Sequence, residues 1–419
     1  MDSFKAPRGT RDILPEEVGL WQHIEEVAGK VFASYGYQEI RTPIFEVTEL
    51  FARGIGETSD IVNKEMYTFA DRKGRNLTLR PENTASVVRA VIEHGMLTGL
   101  PLRLYYLGPM FRYERPQAGR SRQFHQLGTE AMGSSAPGLD AEVITMVVHL
   151  LQDIGLTGLE VQINSVGCFG CRGQYRQSLV DYFGQFKEDL CPDCQVRLER
   201  NPLRILDCKA SVCSGLKEKA PPISDSLCQD CSSHLGEVTR YLKLFGIDYT
   251  RNPKLVRGLD YYTRTAFEVV DYGLGAQNAV AAGGRYDNLI EEMGGRPTPA
   301  MGFAAGCERL VLCLKERQSP ATTTPVPDLL LAAVGLSSDE YPIKLLQELR
   351  RAGLSVLFDW EKRGLKAQLK MANRTGVKQA LILGPDEWDR QVAILKDMET
   401  GKQKEIILKE VADKLKEKS

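Results

Sequence analysis

The sequence lacks several features that would assign it at once to a class of protein. It contains no run of about 18 apolar residues, so we expect no membrane-spanning helix. The opening residues, MDSFKAPRGTRDILPEE, lack the apolar core of a secretory signal, which favours a cytoplasmic protein. No GxxxxGK[ST] segment is present, which argues against a P-loop nucleotide site. The formal net charge of −1 shows no general excess of basic residues, so any contact with nucleic acid must depend on a local basic patch.

Cysteine, in contrast, is abundant and unevenly placed. Eight of the ten cysteines lie between Cys168 and Cys231, in a stretch with three CxxC pairs. Without an export signal, disulfides are a poor explanation. The pairs CPDC and CQDC supply four thiolates that suit one tetrahedral structural Zn²⁺, those of Cys191, Cys194, Cys228 and Cys231. A set of reduced thiols without metal is the alternative, and the spacing alone does not decide between them.

The length of 419 residues exceeds one ordinary core and predicts several domains. We interpret the cysteine-rich stretch as an insertion, because strand patterns precede it and return at Lys254. The stretch RQSPATTTPVPD is typical of a linker. Strand and helix patterns then alternate, which predicts a small α/β domain with a largely parallel sheet. The predicted boundaries are 1–165 and 251–318 for an interrupted first domain, 166–250 for the insertion, 319–326 for the linker and 327–419 for the last domain.

Two segments, PLRLYYLGPMFRYERPQ and SRQFHQLGTEAMG, predict strands joined by a basic, projecting loop. Alternate residues of a strand share a face, so antiparallel pairing would place Arg112 and Glu114 beside Gln126 and Glu130. Burying such groups without partners costs free energy. Their mixed charges therefore favour a polar ligand with cationic and anionic parts over a solvated sheet face.

The stretch LVRGLDYYTRTAFEV, residues 255–269, has the composition of a buried strand but contains Arg257, Asp260, Tyr261 and Tyr262. An arginine suits a planar anion such as carboxylate or phosphate. Tyrosine hydroxyls can fix a polar heterocycle in an apolar pocket. A packed tyrosine pair beside an arginine in a structural ion pair explains the same residues equally well.

Three shorter motifs give weaker signals. LTLRPENTAS predicts a helix start capped by Asn83 or Thr84, with Glu82 equally suited to bind a ligand ammonium. AAGGRYDNL contains paired glycines, for which a tight turn is the favoured explanation. GFAAGCERLVL predicts a helix that begins near Gly302 and carries Arg309.

Together and in this order, these segments resemble the class II aminoacyl-tRNA synthetases, and among them the histidyl-tRNA synthetases of bacterial type. RTPIFE, which contains Pro43, resembles class II motif 1 at the dimer interface. MFRYERPQAGRSRQFHQLGTE resembles motif 2, and AMGFAAGCERLVL resembles motif 3. RGLDYYTRTAFE and AAGGRYDNL are similar to the two histidine-specific signatures. The resemblance spans nearly the whole chain and implies an α/β protein, with an antiparallel sheet flanked by helices as an α+β catalytic core, an inserted subdomain and a C-terminal α/β anticodon-binding domain.

The resemblance also implies roles for particular residues. The catalytic arginines would be Arg112, Arg257 and Arg309. The ATP-binding residues would be Arg112, Glu114, Arg120 and Arg309. The histidine-binding residues would be Glu82, Asn83, Thr84, Gln126, Glu130, Tyr261 and Tyr262. Contacts with the tRNA acceptor stem would come from Arg115, Gln117 and Arg122.

The implied reaction is the ATP-dependent ligation of L-histidine to tRNA(His) by a homodimer, with Mg²⁺ on the β- and γ-phosphates. The histidine carboxylate would attack the α-phosphorus, and pyrophosphate would leave. The 3′-hydroxyl of the tRNA's terminal adenosine would then attack the resulting histidyl-adenylate and become esterified with histidine. The cysteines are not a defining feature of this family, so the resemblance neither requires nor excludes zinc. The main alternative is the paralogous, non-catalytic regulatory subunit of ATP phosphoribosyltransferase. The expected anticodon-binding domain and the arginines of motifs 2 and 3 argue against it.

Overall fold

An eight-stranded, mostly antiparallel sheet is the scaffold of the larger part of the chain. The computed structural model describes residues 4–56, 59–117, 119–274, 278–317 and 326–416. The chain divides into two units, Met1–Thr322 and Thr323–Ser419. No helix within the described ranges is long and apolar enough to cross a membrane.

The helices of the first unit are α1 (Pro15–Ser34), α2 (Thr48–Ile55), α3 (Thr84–Glu93), α4 (Pro137–Asp153), α5 (Phe169–Gly184), α6 (Pro192–Arg200), α7 (Ser211–Lys219), α8 (Gln229–Leu244), α9 (Leu289–Glu292) and α10 (Cys307–Glu316). Its strands are β1 (Gln38–Glu39), β2 (Phe45–Val47), β3 (Tyr67–Ala70), β4 (Asn76–Leu79), β5 (Leu102–Phe111), β6 (Gln123–Met132), β7 (Glu160–Ser165), β8 (Thr250–Arg251), β9 (Thr263–Val270), β10 (Ala279–Arg285) and β11 (Ala300–Gly306).

The strands of the second unit are β12 (Leu329–Ala333), β13 (Val356–Phe358), β14 (Gln379–Leu383), β15 (Val392–Asp397) and β16 (Gln403–Ile407). Its helices are α11 (Glu340–Arg351), α12 (Leu365–Thr375), α13 (Pro385–Asp389) and α14 (Val411–Lys416).

The large sheet has the order β1-β5-β6-β11-β10-β9-β7-β8. Its outer pairs β1·β5 and β7·β8 are parallel, and the pairs between them are antiparallel. The predicted pairing of β5 with β6 is confirmed. On one face, residues of β6, β7, β9 and β11 pack with α1, α4, α8 and α10 in an apolar core. The predicted fold class, an antiparallel sheet flanked by helices, is therefore confirmed.

A smaller sheet, with the order β2-β4-β3, lies in the same unit. Val47 of β2 and Phe69 of β3 both pair with Leu77 of β4, so the three side chains form a row across one face. Phe45, Val47 and Phe69 are 47%, 51% and 45% exposed. This sheet therefore presents an apolar face to its surroundings.

The second unit has a mixed sheet, which corrects the predicted largely parallel one. Its order is β13-β12-β14-β15-β16, with β12 parallel to β13 and β14. β15 is antiparallel to both β14 and β16. Helices α11 and α12 provide the long connections that parallel strands need, whereas only short segments follow β14 and β15. The predicted linker, 319–326, lies outside the described residues except for Val326.

The prediction of one strand over residues 255–269 is wrong for its first half. The regular strand β9 begins at Thr263, and residues 255–262 form a loop. The predicted helix near Gly302 also begins later, at Cys307, because Ala300–Gly306 is strand β11. In both places the pattern of apolar or small residues predicted the wrong type of secondary structure.

The paired glycines Gly283 and Gly284 lie within β10 and do not form the predicted turn. A Cβ atom at Gly283 would lie 2.2 Å from the carbonyl oxygen of Gly302 on β11. A Cβ atom at Gly284 would lie 2.5 Å from the carbonyl oxygen of Thr265 on β9. The glycines therefore serve close packing between neighbouring strands.

A buried ionic network joins the helices to the sheet behind them. Asp140 of α4 and Arg285 of β10 are both fully buried, and Arg285 Nε donates to Asp140 Oδ1 at 2.8 Å. Asp140 Oδ2 accepts from Thr265 Oγ1 at 2.5 Å and from His234 Nε2 at 2.8 Å. Arg285 Nη1 also donates to Asp287 at 2.7 Å. One carboxylate therefore connects α4, α8, β9 and β10.

We expect Asp140→Asn to lower the free energy of unfolding of the first unit by about 1.5–3 kcal/mol, because the buried Arg285 loses one charged partner and keeps only the ion pair with Asp287. Urea unfolding monitored by far-UV circular dichroism measures the change. The control is Glu26→Gln, which breaks an exposed ion pair with Lys30 and should leave the transition unchanged. Equal unfolding curves for the two variants would contradict the structural importance of Asp140.

Candidate active site

A cavity of about 540 Å³ opens on the large sheet of the first unit. Residues of β6, β10 and β11 line it, together with the loops that follow β5 and precede β9. It brings together most of the residues singled out from the sequence, namely Glu82, Thr84, Arg112, Glu114, Arg120, Gln126, Glu130, Arg257, Tyr261, Tyr262 and Arg309. Groups that are up to 227 positions apart in the sequence thus face one space.

Small residues occupy the strands beneath the cavity. Gly302 and Ala304 of β11 pair with Glu130 and Gly128 of β6. Gly284 of β10 pairs in turn with Gly302. A Cβ atom at Gly302 would lie 2.1 Å from Glu130 Oε2. The absence of side chains at these positions makes room for the Glu130 carboxylate and for a ligand above it.

Glu130 is a buried carboxyl group held by two hydroxyls. Thr84 Oγ1 donates to Glu130 Oε1 at 2.8 Å, and the Tyr286 hydroxyl donates to Oε2. Burial raises the pKa of Glu130 to about 8, although both hydrogen bonds act in the opposite direction. The cavity therefore contains a carboxyl group that can change its charge near neutral pH.

Glu82 caps the start of helix α3, a role predicted for Asn83 or Thr84. Its carboxylate accepts hydrogen bonds from the backbone N–H groups of Thr84 at 2.7 Å and Ala85 at 2.9 Å. The helix begins at Thr84, and its cap residue Asn83 makes no side-chain hydrogen bond to it. Burial raises the pKa of Glu82 as well. A second buried carboxyl group thus lies beside Glu130, and a cation between the two would be stabilised.

The loop of residues 255–262 carries Tyr261 and Tyr262, both 8% exposed, with ring centroids 4.8 Å apart. Two arginines hold its backbone. Arg172 Nη1 donates to the carbonyl oxygens of Asp260 at 3.1 Å and Tyr262 at 3.0 Å. Arg204 Nη2 donates to the carbonyl oxygen of Gly258 at 2.6 Å. Residues 255–262 therefore form a loop whose backbone these hydrogen bonds hold at the wall of the cavity. This position explains why a stretch with the composition of a strand contains polar side chains.

Arg112 enters the cavity from the end of β5. Its Nε donates to the carbonyl oxygen of Pro81 at 2.8 Å, and its guanidinium carbon lies 5.3 Å from the Phe124 ring centroid. Beside it, Arg120 Nη1 donates to Glu114 Oε2 at 2.7 Å. Arg112 and Glu114 follow the strand instead of lying on it, yet they face the same cavity as Gln126 and Glu130.

Two further arginines enter from other elements. Arg257 forms an ion pair with Glu268 of β9. Arg309, on α10, donates to the carbonyl oxygen of Ala279. A Cβ atom at Gly119 would lie 3.3 Å from the Arg309 Cγ atom, so the tip of the loop between β5 and β6 packs on this arginine. The cavity thus combines Arg112, Arg257 and Arg309, among other cationic groups, with the buried carboxyls of Glu82 and Glu130.

Four predicted site residues do not line the cavity: Asn83, Arg115, Gln117 and Arg122. Asn83 Oδ1 accepts hydrogen bonds from Thr42 Oγ1 at 2.7 Å and Arg80 Nη1 at 3.1 Å, so this side chain holds neighbouring segments together. Arg115 and Gln117 are exposed on the loop between β5 and β6. The guanidinium carbon of Arg122 lies 3.9 Å from the centroid of the Tyr113 ring, so Arg122 packs within this loop.

Several residues that line the cavity were not predicted from the sequence. Tyr286 directly follows β10 and donates to Glu130, and its motif AAGGRYDNL contained the only signal. Glu268 lies in β9, where its apolar neighbours gave no indication of a site residue. The cavity also includes Arg204 and Lys209 from the segment between α6 and α7. Nothing in the sequence pattern connects that segment with the sheet.

The predicted zinc set of Cys191, Cys194, Cys228 and Cys231 is wrong as a group. The structure places its two pairs in different clusters. The first cluster consists of Cys168, Cys171, Cys228 and Cys231, and the second consists of Cys191, Cys194, Cys208 and Cys213. The first joins the starts of α5 and α8, and the second joins the starts of α6 and α7.

The raised pKa of Glu130 gives a pH-dependent stability. Between pH 4.5 and about 8, the folded protein binds a proton at Glu130 that the unfolded chain does not, so stability falls as the pH rises through this window. We expect this fall to be reduced in Glu130→Gln. Urea unfolding of both proteins at pH 5, 6.5 and 8 measures it. The exposed Glu237→Gln is the control, and parallel pH profiles for wild type and Glu130→Gln would refute the assignment.

Comparison with known proteins agrees with this geometry. A family model described as "Histidyl-tRNA synthetase" matches residues 9–171 and 213–310, and an "Anticodon binding domain" model matches residues 328–418. A protein of Desulforamulus reducens named "Histidine--tRNA ligase" is 52% identical over 97% of both chains. The solved apo histidyl-tRNA synthetase of S. aureus is 40% identical, has a TM-score of 0.83, and covers 99% of this chain and 100% of its own.

A solved protein of Bacillus halodurans C titled "ATP phosphoribosyltransferase regulatory subunit/histidyl-tRNA synthetase" has a TM-score of 0.68. It is 23% identical and covers 92% of this chain and 99% of its own, so it supports the fold alone. The "Histidyl-tRNA synthetase" model matches more than half of the chain, and curated relatives are similar to it over nearly their full length. These two findings decide the family. The chain belongs to the histidyl-tRNA synthetase family of class II aminoacyl-tRNA synthetases.

Proposed function

We propose that the chain is a histidine–tRNA ligase, which activates L-histidine with ATP and transfers it to tRNA(His). The observation that carries this proposal is that several arginines and tyrosines converge in one cavity with the buried carboxyl groups of Glu82 and Glu130. Such a set suits a ligand that combines an ammonium group, a polar heterocycle and several phosphates. Family membership supports the same activity.

The histidine side chain would bind between Glu130 and the tyrosines of the pinned loop. Glu130 already accepts from Thr84 and Tyr286, so its position is fixed before a ligand arrives. A pocket built to hydrogen-bond both ring nitrogens would reject apolar side chains, because its buried polar groups would lose their partners. Glu82, Thr84 and Gln126 would hold the α-ammonium group. Asn83 is left out of this set because its amide oxygen is engaged elsewhere.

ATP would occupy the arginine-lined part of the cavity. Arg112 and Arg257 would contact the α-phosphate, and Arg309 would contact the γ-phosphate. Glu114 and Arg120 would help to place the adenine and the phosphates. The carboxylates of Glu114 and Glu268 line the same cavity and are the hard oxygen donors that Mg²⁺ prefers. When bound to the β- and γ-phosphates, Mg²⁺ would neutralise part of their charge.

In the first step, the histidine carboxylate would attack the α-phosphorus and pyrophosphate would leave. Charge increases on the α-phosphate oxygens in the transition state, and two arginines fixed by the protein stabilise it without reorganisation. The ion pair with Glu268 and the hydrogen bond to Pro81 fix these arginines. No protein nucleophile is required, because the attacking carboxylate is already ionised. Positioning of the two substrates supplies a further part of the acceleration.

In the second step, the 3′-hydroxyl of tRNA(His) would attack the adenylate. The exposed side chains of Arg115 and Gln117 place polar and cationic groups on the loop beside the cavity, where the acceptor stem would approach. Arg122, stacked on Tyr113, would support the loop. The second unit would bind the anticodon, in line with its matched family model.

We further propose that the protein works as a homodimer in the cytoplasm, where translation takes place. The exposed apolar face of the β2-β4-β3 sheet, with Phe45, Val47 and Phe69, lies next to the motif 1 segment that contains Pro43. Covering this face would remove exposed apolar side chains from water. No observation favours the regulatory-subunit alternative.

The decisive test of the function is histidine-dependent exchange between ATP and pyrophosphate, followed by charging of tRNA(His). We expect both activities with L-histidine and neither with the other amino acids. Exchange without charging would indicate a partial paralogue. Absence of both activities in folded protein would refute the proposal.

We expect Arg257→Ala to lower kcat/KM of the exchange reaction by about 10²–10³-fold, because one of the two cations at the α-phosphate is lost. The matched control is Arg251→Ala, which removes an exposed arginine on the edge strand β8. Circular dichroism checks that both variants remain folded. Unchanged exchange in Arg257→Ala would remove this residue from the reaction centre.

We expect Arg115→Ala to separate the two steps. The exchange reaction should stay within about twofold of wild type, whereas kcat/KM for tRNA charging should fall by about tenfold at low salt, as expected for a lost phosphate contact. The deficit should shrink at higher ionic strength. An equal loss in both reactions would show that Arg115 acts within the cavity instead.

A further inference from the structure

The helical segment α5–α8 contains eight free thiols arranged in two groups of four. The four sulfur atoms of each group lie within 4.8 Å of one another. In the first cluster, the Sγ atoms of Cys168 and Cys171 are 3.6 Å apart. In the second, the Sγ atoms of Cys191 and Cys208 are 3.7 Å apart. We propose that each cluster binds one Zn²⁺ ion, and that the two ions hold the loop of residues 255–262 in place at the active site.

The distances fit one tetrahedral ion at each cluster. Zn–S bonds of about 2.3 Å at tetrahedral angles place the sulfur atoms about 3.8 Å apart. A disulfide requires about 2.0 Å, so the observed separations are those of unbonded thiols. Multi-iron clusters have several metal ions between their ligands and need sulfurs spread further apart. Four sulfur ligands in a tetrahedron are typical of structural zinc.

The local backbone favours thiolates at both clusters. Cys168, Cys191 and Cys228 are the N-cap residues of α5, α6 and α8, and the second cysteine of each CxxC pair lies in the first turn. The partial positive charge of a helix start stabilises thiolates there. Backbone N–H groups also point at the sulfurs: that of Cys228 donates to Cys171 Sγ at 3.1 Å, and that of Ala210 donates to Cys208 Sγ at 3.4 Å.

The clusters lie next to the two arginines that pin the active-site loop. Arg172 follows Cys171 of the first cluster directly, and it holds the carbonyl oxygens of Asp260 and Tyr262. Arg204, which holds Gly258, precedes Cys208 of the second cluster by four residues. The family model does not match residues 172–212, which include three cysteines of the second cluster. The second cluster therefore lies largely outside the family model, whereas the four cysteines of the first cluster lie within the matched residues.

The test is metal analysis of the untagged, full-length protein, purified without chelators and measured by inductively coupled plasma mass spectrometry. We expect about two zinc ions per chain, one for each cluster. Cys228→Ser in the first cluster and Cys191→Ser in the second should each reduce the content to about one. Cys313→Ser is the matched control, because Cys313 is a free cysteine of α10 outside both clusters, and it should retain about two.

A zinc content near zero in the wild-type protein would overturn the proposal, whether or not the variants fold. So would iron in place of zinc, or a content that neither variant reduces. Titration of thiols in the folded protein with and without chelator adds an independent check: the exposed thiol of Cys228 should react only after zinc is removed.

The link to the active site rests on the proposed function, and a separate measurement tests it. In Cys191→Ser we expect a higher KM for histidine and a lower kcat in the exchange reaction, because the 255–262 loop carries Tyr261 and Tyr262 together with Arg257. Loss of one zinc ion with unchanged kinetics would confirm the metal sites and refute their coupling to the loop. Normal zinc content without any exchange activity would instead count against the proposed function.

Discussion

The carboxylate of Asp140 is the interaction on which the arrangement of the first unit depends. It is fully buried, and it connects two helices to two neighbouring strands through Arg285, Thr265 and His234. A buried charge tolerates only the geometry that satisfies it, since an unmatched partner costs several kilocalories per mole. The network thus fixes β9 and β10 against α4 and α8. The opposite side of the same strands can then carry polar groups for a ligand.

The two faces of the large sheet are specialised in different ways. Odd-numbered residues of β11, such as Phe303 and Ala305, belong to the apolar core, while Gly302 and Ala304 line the cavity. Because successive side chains point to opposite faces, one strand serves both purposes. Glu130 can be buried on the cavity side because Gly302 leaves space for it and two hydroxyls satisfy its oxygens. The position of the site follows from this alternation.

Much of the fold followed from patterns that are local in the sequence. Alternation along β5 and β6 predicted their pairing and brought Gln126 and Glu130 together, and both features are confirmed. The alternation of Gly302, Ala304 and Gly306 also has the period of a strand, but glycine and alanine are too small to reveal it beside the helical pattern that follows. Residues 255–262 have the composition of a buried strand because a buried loop needs apolar residues too. Composition alone does not distinguish the two.

Contacts between segments that are distant in the sequence could not be predicted from it. The partners Asp140 and Arg285 are 145 positions apart, and nothing local marks them as a pair. The cysteines show the same limit. The three CxxC pairs were visible, but Cys208 and Cys213 belong to no such pair, and only the packing of α5–α8 decides which thiols meet. The residue boundaries of the insertion remain a prediction for the same reason.

The glycine- and alanine-rich strands under the cavity have one further consequence. A sheet face without large side chains buries little apolar surface by itself, so the fold gains little stability there until something fills the space. Substrates that bind only the folded chain add their binding free energy to folding, in proportion to the logarithm of their concentration. Substrates that fill this space would therefore complete the packing above the sheet and raise the stability of the folded chain.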